Sequence, residues 1–154
     1  MTFNKSFLRP AAWIAPAAVL VFWACAGPEF PPPPDAPGQA VLDAADRLRS
    51  AFERADRLAF MAEVDMDFRP SRNRLEQSLI DVSLRARDVR LQMMPGERSH
   101  GPGETGLALR WYRTWVLQNT NQMERKEGSA ALVFRINGAT MRLARIEGEN
   151  PFEP

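Results

Sequence analysis

Reactive side chains are scarce in this 154-residue chain, which has one cysteine, one histidine and one tyrosine. One cysteine excludes an internal disulfide, a thiolate zinc site and a dithiol redox pair. One histidine, His100, excludes histidine-cluster metal sites; a carboxylate-only site is left open, although no EF-hand-like spacing occurs. No metal and no other cofactor is expected. Charge of one sign is also missing. Lys and Arg number 20 against 19 Asp and Glu, mixed along the chain with no basic arm or acidic tail. That balance excludes a nucleic-acid binder, which needs a basic stripe to neutralise phosphates. Gly-rich phosphate loops, nucleophile elbows and zinc-protease motifs are absent as well.

Long apolar runs are limited to the N-terminus. Met1–Pro10 carries Lys5 and Arg9 and no acid, and Ala11–Ala24 is almost wholly apolar. A basic stretch before a short apolar one is the pattern of an export signal. The run is about 14 residues, short of the roughly 20 that span a bilayer, and Pro16 interrupts it. Residues 1–24 are therefore read as a signal peptide. Phe22-Trp23-Ala24-Cys25 resembles a lipoprotein signal motif, in which a small residue precedes a lipid-bearing cysteine. It departs from that motif at Phe22 and Trp23, where a Leu and a small residue usually stand. Ala24-Cys25-Ala26 also permits ordinary cleavage, which would discard the cysteine, and Cys25 can also be read as one more apolar residue of the run. Lipidation of Cys25 is the favoured reading, because the lone cysteine ends the apolar run and a Pro-rich stretch follows it.

Residues 25–37 hold Pro28, Pro31 to Pro34 and Pro37. About 10 such residues at about 3.1 Å each make a stiff spacer of roughly 30 Å. The expectation is a bacterial envelope protein, anchored to the membrane by its lipid and facing the periplasm or the cell exterior. Without Lys5 and Arg9 the mature chain has 20 − 2 = 18 basic against 19 acidic residues. Lys126 is the only lysine after Cys25, and every other cation there is arginine.

What remains, residues 38–154, is one domain of about 115 residues, enough for a modest core. Ala40–Met61 reads as a helix, or a helix pair with a small break, with Val41, Ala45, Leu48, Phe52, Ala55 and Ala59 on one stripe. Asp43, Asp46, Arg47, Glu53, Arg54 and Asp56 form the solvated side. Val64, Met66 and Phe68 then alternate with Asp65, Asp67 and Arg69, a short strand ending at Pro70. Ser71 is a plausible N-cap for a helix with Leu75, Leu79, Val82 and Ala86 on its buried stripe. Val89, Leu91 and Met93 alternate before a Gly- and Pro-rich loop over Pro95–Thr105. Leu107, Leu109, Trp111, Trp115 and Leu117 share one parity of a long strand. Ala130–Ile136 and Ala139–Ile146 flank Asn137-Gly138, a strong hairpin signal, and Ile146 breaks parity, which predicts a β-bulge. Helices followed by antiparallel strands predict an α+β domain with its helices on one face of a curved antiparallel sheet.

This order resembles the nuclear transport factor 2-like superfamily, which includes SnoaL-like and ketosteroid-isomerase-like proteins. The resemblance covers nearly all of Gly38–Phe152. It rests on the long first helix, the Val64–Pro70 strand, and the final segment with Ile146, Gly148, Pro151 and Phe152; Met141 stands where family members often carry Trp. It implies a cone-like roll, with a ligand pocket inside in some members. The isomerase-like members carry a catalytic carboxylate immediately before the strand-ending proline. Here that position is Arg69, which stays protonated and cannot be a general base.

Among polar candidates, Asp65 and Asp67 are expected to point away from the core, and His100 to lie exposed in its loop. Arg113 shares parity with Trp111 and Trp115, so these three form the candidate pocket: a guanidinium beside two indoles can hold an anionic or aromatic ligand. The favoured reading is blander, with Arg113 carried into water by a bulge or the strand's outer end and the tryptophans in the core. Binding a small apolar or anionic ligand, or an envelope protein partner, is the expected role. A structural or assembly lipoprotein and an isomerase- or hydratase-type pocket enzyme are the alternatives.

Overall fold

The structure, a computed structural model, describes residues 36–137 and 140–154. The segment expected to be a signal peptide, Cys25 and the Pro-rich stretch up to residue 35 lie outside the described residues, as do Gly138 and Ala139 of the expected hairpin turn. Among the described residues no helix is long and apolar enough to cross a membrane.

Helix α1 spans Ala36–Glu53 and α2 spans Arg57–Ala62. The break falls at Ala55, which takes φ 53°, and Asp56 restarts the helix by accepting a hydrogen bond from the Ala59 amide at 3.0 Å. Pro37 is tolerated in the first turn, where its missing N–H would have no partner. Val41, Ala45, Leu48 and Phe52 are buried along the expected stripe, joined by Ala44 and Ala51, whereas Ala55 is exposed at the break. Glu53 departs from the solvated side. Its carboxylate accepts from the Leu91 amide at 2.7 Å and from Arg49 Nη1 at 2.9 Å, tying α1 to a strand across the core. Ser71 caps α3 (Arg72–Arg85) through the Arg74 amide, and Leu75, Leu79 and Val82 bury its inner side.

Five strands follow or interleave: β1 Val64–Arg69, β2 Ala86–Gly101, β3 Glu104–Leu117, β4 Met123–Asn137 and β5 Thr140–Gly148. They form one sheet in the order β1-β5-β4-β3-β2. The sheet is mixed rather than wholly antiparallel, because β1 runs parallel to β5. A chain that crosses from β1 through α3 to the far edge and returns strand by strand leaves β1 to dock beside the last strand, in the same direction.

Three local expectations are corrected. The segment Pro95–Thr105 is not a loop: β2 and β3 pair from Ala86↔Leu117 to Gly101↔Glu104, with only Pro102 and Gly103 at the tip. Pro95 pairs with Leu109 on the sheet's edge strand, where a missing N–H faces no neighbour, and Gly103 accepts φ 73°. His100 is therefore a strand residue opposite Thr105, though exposed as expected. In β1, Asp65 is buried and Met66 exposed. The Asp65 carboxylate accepts from the Asp67 amide at 2.8 Å, and this side-chain turn breaks the alternation. The register along β1 shifts accordingly. The bulge expected near Ile146 is present: Phe134 pairs with Leu143 and Val133 with Arg145, leaving Ala144 unpaired.

The core lies between the helices and the sheet's inner face. Its centre is an aromatic cluster in which Phe152, fully buried, meets Phe52 and Phe60 edge-on with ring centroids 5.3 and 4.8 Å away. The turn after β5 thus fills the interior with its own side chain.

Candidate functional site

Alternation along β3 sends Leu107, Leu109, Trp111, Arg113, Trp115 and Leu117 to the inner face. The first four are buried, and Trp115 and Leu117 are half-buried towards the strand's end. Trp111 belongs to the core. Its ring lies against Gly128 of β4, where an added Cβ would come 2.7 Å from Trp111 Cζ2, and its Nε1 donates to the Glu149 carbonyl at 2.9 Å.

Arg113 is only 2% exposed, which overturns the reading that placed it in water. Arg113 is not at a strand end: it pairs with Leu91 on one side and Lys126 on the other. The Pro151–Phe152 turn then closes over it, and Arg113 Nη1 donates to the Pro151 carbonyl at 2.9 Å. Its guanidinium carbon sits 4.6 Å from the Trp115 ring centroid and 5.9 Å from that of Phe52. Aromatic faces partly compensate a desolvated cation. They do not satisfy its donors. A guanidinium has five N–H groups, Nε is buried with no partner, and among the described residues no carboxylate pairs with it. Burial pushes its pKa down to about 10, so the side chain is still charged at neutral pH.

Arg113 and Trp115 open onto a pocket of about 160 Å³. Val82, Ala86, Val89 and Leu117 give it apolar walls, and Arg85 and Glu124 stand on its lining with opposite charges. Val82 and Val89 also wall a neighbouring cleft of about 230 Å³ that reaches Phe52 and Phe60. The site thus gathers α3, β2, β3 and β4. Of the three residues singled out in the sequence, two line the pocket and Trp111 does not. Its remaining walls were each legible only as strand or helix positions: Val82 as part of a helical stripe, Val89 as an alternating apolar residue. Leu117 was legible as a position on the same strand parity, but Glu124 and Arg85 carried no signal, because β4 extends well beyond the strand predicted from Ala130 and the register that sets Glu124 opposite Trp115 is a tertiary fact.

Other candidates lie elsewhere. Arg69 is exposed at the end of β1. The cleft beside it, about 390 Å³, is lined by Phe68, Pro70, Arg74, Lys126, Glu149 and Glu153 among others, and not by Arg69. Asp65 faces Arg135, whose Nη1 lies 3.4 Å from its Oδ1, and Asp67 is exposed. Cys25 lies outside the described residues.

No protein-family model matches the chain, and no curated protein matches its sequence. Solved structures do match its shape. A nuclear transport factor 2-like superfamily protein from Salmonella enterica serovar Typhimurium superposes with a TM-score of 0.62 at 12% identity, covering 73% of this chain and 89% of the other. A ketosteroid isomerase-like protein from Erwinia carotovora gives 0.57 at 18% identity, over 70% and 91% of the two chains. A conserved protein from Planctomyces limnophilus gives 0.64 at 12%, over 74% and 98%. At these identities the likeness is one of fold, and it agrees with the helices and the mixed five-stranded sheet described above: the domain has the nuclear transport factor 2-like α+β fold.

Proposed function

We propose that this domain is a non-catalytic small-molecule-binding module, held at a bacterial cell envelope by a lipid on Cys25. The pocket that ends in Arg113 and Trp115 carries the binding half. A buried cation with unsatisfied donors, set among apolar walls, is costly to maintain in a closed core. It becomes useful when a ligand completes it. The non-catalytic half rests on Arg69, which replaces the carboxylate that the isomerase-like resemblance would require, and on Glu124, an exposed residue and the one acidic side chain among the described residues lining the pocket. Large exposed hydrophobics (Leu58, Met66, Leu84, Met94, Met123 and Ile136) are distributed over α2, β1, α3, β2 and β4. That distribution favours a small ligand over one broad apolar interface.

Binding is tested by nuclear magnetic resonance titration of the full chain in micelles with one-ring compounds of different charge: benzoate, benzamide and benzylamine. At least one should shift the Trp115 indole and the Val82 and Val89 methyl signals, and Val89→Phe, which fills the pocket, should abolish the shift. Silence from all three would defeat the binding reading. Anchoring is tested by Cys25→Ala, which should release the protein from membranes and remove a lipid mass increment; unchanged fractionation would refute it.

A further inference from the structure

The chemical class of the ligand follows from how Arg113 is left, on the reading that its pocket binds a small molecule. Nη1 is committed to the Pro151 carbonyl. Nε is buried without a partner, and no hydrogen bond to Nη2 is made by any described residue. Nε is sealed off by the surrounding atoms, so the donor left to a ligand is Nη2, and a charge-assisted hydrogen bond from a guanidinium nitrogen suits a carboxylate oxygen. The ring of Trp115 lies against the guanidinium, 4.6 Å from its carbon, and Pro151 holds Nη1, so the group is held in position before any ligand arrives.

Size and charge narrow the class further. A pocket of about 160 Å³ is close to the apolar cavities of about 150 Å³ that accept benzene, so the body of the ligand is one ring or a short branched chain. One buried positive charge neutralises one negative charge. Arg85 and Glu124 on the lining cancel, Pro154 beside them already accepts from Lys126 at 3.1 Å, and a phosphate ester, at about −1.5 to −2, would bring a second charge with nothing to meet it. We propose that the pocket binds a small organic monocarboxylate, its carboxylate accepting from Arg113 Nη2 and its apolar body held between Val82, Val89, Trp115 and Leu117.

Benzoate and benzamide serve as the probes, because they share shape and differ in charge. On the full chain in micelles, benzoate should bind about tenfold to a hundredfold more tightly than benzamide, the usual range for a charge-assisted hydrogen-bonded contact. Arg113→Gln should erase that preference, and Arg113→Lys should keep part of it, since a point charge remains while the directed guanidinium N–H is lost. Inorganic phosphate should not compete with benzoate at equal concentration. If benzamide binds as well as benzoate to the unaltered protein, the monocarboxylate assignment falls while the pocket stands. If phosphate displaces benzoate, the class is wrong. If neither ring compound perturbs Trp115, the pocket reading falls with it.

Discussion

Arg113 and Arg135 occupy adjacent strands of one sheet and are treated in opposite ways. Arg135, on β4, stands on the outer side. Its Nη2 lies 3.3 Å from Glu104 Oε1 and its Nη1 3.4 Å from Asp65, with Asp67 at 3.9 Å. Glu104 in turn bonds Arg145, which also holds Glu147 at 2.8 Å. Each charge there is answered by an opposite one within reach of water. Arg113, on β3, stands on the inner side with a carbonyl, an indole and a phenyl ring as its neighbours. A network of paired charges on a surface is ordinary solvation by other means. An unpaired cation under a core turn is a standing cost, and the contrast marks the inner site as the one arranged for something other than stability.

Four substitutions break or sharpen that contrast. The largest effect is expected from Phe152→Ala. This residue packs on Phe52 and Phe60 beneath the turn that covers Arg113, and truncating a buried phenylalanine costs about 3–5 kcal/mol; urea unfolding should show that loss and an accessible Arg113. Gly128→Ala comes next. Its methyl would press on the Trp111 ring and displace Glu149 from the Ser129 amide, an overpacking worth about 1–3 kcal/mol.

Arg113→Met is the decisive comparison. Replacing an uncompensated buried charge with an apolar side chain of similar length should leave stability unchanged or raise it by about 1–2 kcal/mol, while abolishing carboxylate binding. A loss of several kcal/mol would instead make Arg113 a structural residue and remove the contrast. The smallest effect belongs to the outer network. Hydrogen bonding to Arg145, and then to Arg135, holds the Glu104 carboxyl below its ordinary value of 4.5. Its folded value is therefore lower than its unfolded one. The contribution is present above the unfolded value and is lost as pH falls through the folded one. Glu104→Gln should flatten the acid side of the stability profile, with a salt-sensitive effect at neutral pH; an unchanged acid limb would show the network to be idle.

Much of this architecture is legible in the amino-acid sequence. The Ser71 cap, the bulge before Ile146 and the parity that groups Trp111, Arg113 and Trp115 all follow from local rules, whereas a break in the first helical stretch was one of two readings and its place at Ala55 was not marked. Spacing, capping chemistry and alternation act over a few residues and are written there. Where local rules failed, a non-local partner had decided the outcome. Asp65 was buried, though not in the core, because its side chain bonds its own strand and lies within reach of Arg135, 70 positions away. Pro95 could join a strand because that strand became the edge of the sheet. Glu53 left its solvated side to meet an amide 38 positions on.

Arg113 shows the division most clearly. The sequence by itself determined which face of β3 it occupies and that tryptophans flank it on that face, since a strand's period is two residues. Only the tertiary structure decided that this face is dry there, that Pro151 takes one of its donors, and that the walls around it come from α3, β2 and β4. Burial is a property of what packs on top, and the covering turn lies 38 positions away in the chain. The pocket therefore exists as a set of contacts between segments that carry no shared signal, and its free donors could be counted only once those segments had met.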